Sequence, residues 1–327
     1  MDAIGGIILQ ILQLQPRATF RQVGEIAGVS EQTVARRYRA LRRQGAIRIV
    51  GQRTPAIESD SEWITRVLCR PDAVEEVARW LVSQPNVTYA HVSGGGAELI
   101  FITRFPLNAI GEHDMFRGLT RSNAVQNVDV QLVLHRFDDN THWTSFAPEQ
   151  LSEHQREQSL ALAQEPAPLT STKIVASDSA LFDALREDGR ASYQELAEAT
   201  GWSAVKVKRR METLEARGLL LYEVELLPDA LGHHVSSMLW IRTDPGRLDH
   251  VGAALRVFPE VSSVLAVSGE HHIMAVVISR DGEHLYDFLS YTIATISGVV
   301  SYSATIRLRR LKLSTTTISR GRLVLAP

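Results

Sequence analysis

The chain has 327 residues, 44% apolar and 22% charged, with a formal net charge of −2. That length exceeds what one hydrophobic core organises, and the composition excludes a disordered, collagenous or disulfide-stapled chain. One cysteine, Cys69, excludes an intrachain disulfide and a cysteine-based zinc site.

The first element is an apolar stretch from Ala3 to Leu14. It lacks a basic leader and a cleavage signal, and a helix of that length cannot cross a bilayer. No other stretch is long and apolar enough. No membrane partner is expected, and the chain reads as cytoplasmic.

From Arg17 to Arg48 there are eight arginines against two glutamates, a local balance of +6. Thr19-Phe-Arg-Gln22 is a capping box, which starts a helix running to about Ala27. Gly28 suits a left-handed C-cap, and Ser30 caps the helix that follows. In that second helix Val34, Tyr38 and Leu41 form one buried stripe at i, i+4, i+7. Gln32, Thr33, Arg36 and Arg37 lie off the stripe. This is the layout of a helix that enters a DNA major groove.

The hydrophobic period then changes. The pattern predicts strand 62–70, helix 72–84, strands 87–93 and 97–104, helix 107–119 and strand 127–136. Cys69 reads as a small core residue here. A polar segment follows, with a helix from about Pro148. Glu165-Pro-Ala-Pro168 through Thr172 reads as an extended linker.

The second half repeats the first. Arg17–Ile49 and Arg190–Tyr222 align without a gap at an offset of 173, with ten of 33 positions identical. Ser192-Tyr-Gln-Glu195 is again a capping box, Gly201 again a C-cap, and Ser203 again an N-cap. Val207, Met211 and Leu214 form the stripe, with Val205, Lys206, Arg209 and Arg210 off it. Six Lys/Arg against four Glu make this copy less basic, at +2, so the rest of the chain carries −10. The second sandwich reads as strand 236–243, helix 246–258, strands 261–268 and 272–279, helix 282–296 and strand 299–311. Ala90–Gly94 matches Leu265–Gly269, and an apolar run follows each.

The expected fold class is therefore α+β: two winged or helix-turn-helix domains, each followed by a ferredoxin-like βαββαβ sandwich. The expected boundaries are 1–50, 57–137, 138–172 for the helix and linker, 173–222, 233–313, and a tail at 314–327. Phe101, Val276 and Tyr302 fit strand positions. The open face of such a sheet usually pairs with another, so a homodimer or higher homo-oligomer is expected, with pairing within or between chains left open.

This succession resembles the Lrp/AsnC family of transcription regulators, over nearly the whole chain and twice. Leu219-Leu-Leu-Tyr222 through Leu226-Leu-Pro-Asp-Ala-Leu-Gly232 resembles the family's inter-domain strand. The resemblance implies a regulator that binds double-stranded DNA and is responsive to an amino acid or related effector held between sandwich domains. The DNA-facing candidates are Ser30, Gln32, Thr33, Arg36 and Arg37, with Ser203, Lys206, Arg209 and Arg210. The effector candidates lie in the loops after the second strand: Gly94, Gly95, Gly96 and Glu98, with Gly269, Glu270, His271 and His272. The family's acidic position, three after the first glycine, is occupied by Ala97 and His272.

The glycine loops do not open a helix, so they are no dinucleotide fingerprint. No metal-ligand spacing, cofactor motif or catalytic constellation stands out, and the chain reads as a non-enzyme. His233–His234 and His271–His272 read chiefly as loop histidines. Trp80 and Trp240 read as packing residues, and Trp202 as packing of the turn. Two alternatives stay open. One is a sirohaem-decarboxylase-like enzyme on the same tandem fold, for which His91 stands in roughly the right region. The other is a regulatory partner that binds no DNA.

Overall fold

A computed structural model describes residues 2–54, 60–107, 114–137, 151–162 and 173–325. The extended linker at 165–172 lies outside the described residues. In chain order come α1 (Ala3–Leu14), α2 (Phe20–Ala27), α3 (Glu31–Arg43), β1 (Ile47–Arg53), β2 (Asp60–Cys69), α4 (Val74–Ser83), β3 (Val87–Ser93), β4 (Glu98–Pro106), α5 (Asp114–Arg121), β5 (Val125–Arg136) and α6 (Glu153–Leu160). The second half continues with α7 (Ser179–Glu187), α8 (Tyr193–Thr200), α9 (Ala204–Ala216), β6 (Leu220–Leu226), β7 (Val235–Thr243), α10 (Leu248–Arg256), β8 (Val261–Val267), β9 (Ile273–Ser279), α11 (Gly282–Asp287), β10 (Val299–Ile306), β11 (Arg309–Lys312), β12 (Thr316–Ser319) and β13 (Arg322–Leu325). Among the described residues, no helix is long and apolar enough to cross a membrane.

The chain divides into two compact units, 1–57 with 147–227 and 58–146 with 228–327. Each repeat therefore gives its helix-turn-helix to one unit and its sandwich to the other.

In the first unit, β1 and β6 form an antiparallel ladder from Ile47↔Leu226 to Arg53↔Leu220. Two arginines at equivalent repeat positions reach across it. Arg17 donates to the carbonyls of Gly189 (2.6 Å) and Ala191 (3.0 Å). Arg190 donates to the carbonyls of Pro16 and of Ala18 (2.7 Å). Arg17 lies over the rings of Tyr193 and Tyr222, and Arg190 over those of Phe20 and Tyr38. The identity of Arg17/Arg190 across the repeat thus reflects a reciprocal clamp. The backbone of Gly189 donates to Ile49 O at 2.7 Å, and a Cβ there would sit 2.8 Å from the Val50 carbonyl carbon. Only glycine allows that approach.

In the second unit, each sandwich has strand order 4-1-3-2: β5-β2-β4-β3 and β10-β7-β9-β8. Each sheet covers one face with its helices. Val67, Val77, Leu81, Leu99, Phe101 and Leu119 belong to the first core, and Leu239, Ile241, Val251, Leu255 and Ala275 to the second. The two remaining faces pack on each other. Ile64 and Ile100 of the first sheet form one cluster with Met238, Trp240, Leu265, Val267 and Met274 of the second. The open faces are therefore covered within one chain. Of the two pairings left open above, the sheet faces thus take the one within a chain. The exchange is reciprocal at the edges. The end of β5 pairs with β8, and β11, just after β10, pairs with β3.

Several expectations need correction. The residues after 313 are no mere tail: β12 and β13 form a hairpin next to β11. The last strand is broken into β10 and β11, and the last helix changes from α to a π turn at Phe288–Thr292 and a 3₁₀ turn at Ile293–Thr295. Other readings hold: Trp240 and Cys69 are buried, Trp80 is 36% exposed with its ring beside Gly118, and Tyr302 lies in β10 with 42% exposure. The match of Ala90–Gly94 with Leu265–Gly269 is slipped by one residue. Ala90 and Val92 face the helix-side core, while Leu265 and Val267 face the inter-sheet core. A one-residue slip in a strand exchanges its faces. The faces agree when Ala90 is matched to Val264.

His91 in β3 is 7% exposed. Burial, then the charges of Arg307 and Arg310, hold its imidazole well below its ordinary value, so it is neutral in the folded chain. The unfolded chain binds that proton below about pH 6.5 and the folded chain does not. Stability present above that pH is lost as pH falls, by up to about 1.4 kcal/mol per unit for this one group. Thermal melts from pH 7.5 to 5.5 should show a steeper loss for the native chain than for His91→Gln; equal slopes would contradict the assignment.

Candidate nucleic-acid interface and effector cleft

The first helix-turn-helix is built from local grammar. Thr19 Oγ1 accepts from the Gln22 N–H, and Gln22 Oε1 accepts from the Thr19 N–H. Gly28 takes φ +68° and ends α2 in the left-handed region. Ser30 caps α3 by accepting from the Thr33 N–H at 3.2 Å, and the two hydroxyls lie 2.9 Å apart. The second copy repeats each step: the Ser192–Glu195 box, Gly201 at φ +70°, and Ser203 accepting from the Lys206 N–H.

The readout faces differ from expectation at one position in each helix. Gln32 and Arg36 on α3 are exposed, as are Val205, Lys206 and Arg209 on α9. Arg37 instead pairs with Asp2, whose carboxylate also accepts from Gly5 and caps α1. Arg210 makes two bonds to Asp178, at 2.8 and 2.6 Å, and one to the Lys173 carbonyl. Asp178 precedes α7 and its side chain is 1% exposed. Burial opposes its charge, but Arg210 and the Val175 N–H hold its pKa below the usual carboxylate range. Both arginines thus tie a second helix to the start of the first helix in its own domain.

Other arginines of the basic segment are also engaged. Arg42 pairs with Asp188 at 2.6 Å, and Arg48 donates to the Glu187 carbonyl at 2.6 Å. Arg36, Arg39 and Arg43 are exposed on α3 and make no side-chain ion pair or hydrogen bond among the described residues. The cationic surface free for an outside partner is smaller than the sequence count of +6. Trp202 is half-buried, with the Lys206 ammonium 4.1 Å from its ring centre. That arrangement fits packing of the turn.

The effector candidates separate. Gly94, Gly95 and Glu98 line a cleft of about 650 Å³ within the sandwich unit, together with Arg66, Asp129 and Asn127 and with Thr305 and Ile306 of β10. Gly94, Gly95 and Gly96 all have left-handed φ, between 54° and 93°. A Cβ on Gly94 would lie 2.8 Å from that of Glu98. The Glu98 carboxylate accepts from Arg66 Nε at 2.9 Å and Ser93 Oγ at 3.1 Å. Arg66 stacks 4.7 Å over Trp240. Gly96 is not among the lining residues, nor are the second-loop candidates. Gly269 lies against Gln131, Glu270 pairs with Arg242 at 3.5 Å, and His272 Nδ1 lies within 3.2 Å of Thr243 N and Oγ1. His271 tilts over Trp240, and burial lowers its pKa.

Sequence reading missed Arg66, Asn127 and Asp129. They had a signal, since Arg66 is directly opposite both Ile100 and Asp129 in the ladder and so shares the inter-sheet face. Taking Ala90 with Val264 as the register, Arg66, Glu98 and Asp129 correspond to Trp240, His272 and Ser303. The charged cleft therefore has a chemically different counterpart in the second sandwich. Among the described residues, no three His, Cys, Asp or Glu side chains converge as a metal site.

The AsnC-type helix-turn-helix domain model matches residues 1–42 and 176–215, and the Lrp/AsnC ligand binding domain model matches 236–317. The chain is 35% identical over 136 residues to the HTH-type transcriptional regulator LrpA of Pyrococcus abyssi, covering 41% of this chain and 96% of that one. It is 35% identical over 114 residues to LrpA of Mycobacterium tuberculosis, covering 34% and 76%. The structure of the siroheme decarboxylase NirDL shares the fold over 98% of this chain and 96% of its own, with a TM-score of 0.63 at 15% identity. That likeness is one of fold. The two capped turns, the matched domains and the LrpA relatives together place the chain: it belongs to the Lrp/AsnC family of DNA-binding transcription regulators, in a form that carries the helix-turn-helix and the sandwich twice.

Proposed function

We propose that this regulator contacts double-stranded DNA through the exposed faces of α3 and α9, with Gln32, Thr33 and Arg36 reading bases on one helix and Val205, Lys206 and Arg209 on the other. Ser30 and Ser203 hold the helix N-termini where a phosphate can approach. One observation carries the reading: each copy presents an exposed arginine at the same place, Arg36 and Arg209, on the outward face of a capped second helix. Equilibrium titration against DNA selected from a random library tests it. Affinity should fall steeply with salt, by about 0.9 in log–log slope per phosphate neutralised. An unselective, salt-insensitive chain would contradict the reading.

The charged cleft is the effector site in this proposal. Its chemistry suits an amino acid. The ammonium would meet Asp129, and the carboxylate would meet the backbone at Gly94 and Gly95 beside Arg66. Glu98 is already neutralised by Arg66, so it serves to position that guanidinium. A thermal-shift screen with the twenty proteinogenic amino acids should find one or a few stabilising ligands. Asp129→Asn should weaken them about 10-fold or more, as loss of a charged hydrogen-bond partner does. A ligand insensitive to Asp129→Asn would place the site elsewhere.

The fold shared with a siroheme decarboxylase sets one competing outcome. Sirohaem added to the purified chain should leave its Soret band where the free compound has it. A shifted band would favour the enzyme reading, with His91 as the buried residue to examine.

A further inference from the structure

We infer that one chain reads a whole operator alone, and that this operator consists of two unlike half-sites at a single spacing. The inference rests on the DNA-binding role of α3 and α9 proposed above. In a homodimeric helix-turn-helix regulator, two identical recognition helices related by an exact two-fold require a palindrome. Here both helices belong to one compact unit of one chain. They are related by an approximate two-fold, and their outward residues are not the same.

The differences fall at the reading positions. Arg36 and Arg209 are shared, so each half-site should hold a guanine, the partner of a bidentate guanidinium. Gln32 suits adenine, whose N6 and N7 it can bridge. Its counterpart Val205 is 69% exposed and can offer only apolar contact, which suits the methyl of thymine. Thr33 is replaced by Lys206. Further along, Arg39 and Arg43 have Glu212 and Ala216 as counterparts. The α3 half-site should therefore supply more of the phosphate-dependent affinity.

The spacing is set by parts that do not flex independently. The β1–β6 ladder pairs seven residues of each copy. The Arg17 and Arg190 guanidinium groups each bond two carbonyls of the opposite copy. Gly189 brings the backbones into contact. A joint of this kind holds two recognition helices as one body. One half-site separation should then dominate, about 10 bp or a multiple of it.

The test is selection of the full-length chain on a random duplex DNA library, with stoichiometry measured on the selected duplex by sedimentation. The expected result is two dissimilar half motifs at one spacing with one chain bound. Arg36→Ala should flatten base preference in one half motif and Arg209→Ala in the other, each with about a 10-fold loss of affinity. Both side chains are exposed, so unchanged melting curves will separate lost readout from lost folding. Arg17→Ala should broaden the permitted spacings while leaving both half motifs recognisable. A palindromic motif bound by two chains would overturn the inference, and so would a single half motif indifferent to Arg209→Ala. Enrichment of no sequence at all would instead remove the DNA-binding reading on which the inference stands.

Discussion

Arg210→Ala should destabilise the first unit by about 3 kcal/mol or more, while its neighbour Arg209→Ala should leave stability within about 0.5 kcal/mol. Removing Arg210 strands the Asp178 carboxylate, whose side chain is 1% exposed, without its two guanidinium bonds. Breaking a buried pair from one side is far more costly than deleting an exposed charge, because the remaining charge stays out of water. Arg209 is exposed and makes no side-chain ion pair or hydrogen bond among the described residues. Denaturant titration of the two variants checks this directly. Equal stabilities would mean that the Arg210–Asp178 pair contributes nothing. The DNA result should run the other way: Arg209→Ala lowers affinity in a chain that remains folded. Arg210→Asp, paired with Asp178→Arg, should restore part of the lost stability if charge pairing is the cause.

Arg190→Ala should be comparably damaging, at about 3 kcal/mol, for a different reason. Its guanidinium is buried, and burial lowers its pKa from the ordinary arginine value. It donates to the carbonyls of Pro16 and Ala18 and lies over two aromatic rings, so truncation leaves two acceptors unsatisfied and opens space beside Phe20 and Tyr38. Charge-assisted hydrogen bonds contribute about 1.5–3 kcal/mol each. Amide hydrogen exchange locates the effect. Protection should fall first across β1 and β6, from Ile47 to Arg53 and Leu220 to Leu226. Loss of protection confined to α8 alone would show that the clamp does not hold the two copies together.

The two helix-turn-helix segments were legible because their signals are local. A hydroxyl cap, a carboxamide or carboxylate three residues on, and a left-handed glycine all act within a few residues, and the repeat displayed them twice. The role of the second arginine was not legible. Arg37 meets a residue 35 positions earlier and Arg210 one 32 positions earlier, so both looked like solvent-facing charges of a basic helix. The clamp was more distant still, with partners 172 and 174 positions away, although the identity of Arg17 with Arg190 marked the place.

The sandwich shows the same division. Its strand periodicity disclosed an open face on each sheet, but periodicity carries no information on what covers that face. The answer lies in Ile64, Ile100, Trp240 and Met274 meeting in one cluster. The alignment of Ala90–Gly94 with Leu265–Gly269 went one residue astray because small and apolar letters repeat on both faces there. Only the burial of Ala90 under the helices, against Leu265 between the sheets, sets the register. With that register, the charged cleft around Arg66, Glu98 and Asp129 becomes distinct from its counterpart around Trp240 and His272.

We propose above that this duplicated regulator binds DNA through α3 and α9. Chromosome-wide mapping of the native chain beside an Arg36→Ala/Arg209→Ala double variant tests that most directly. Binding through α3 and α9 requires discrete sites sharing one composite motif, lost in a double variant that still folds. Absence of discrete sites, or their retention by the double variant, would contradict it.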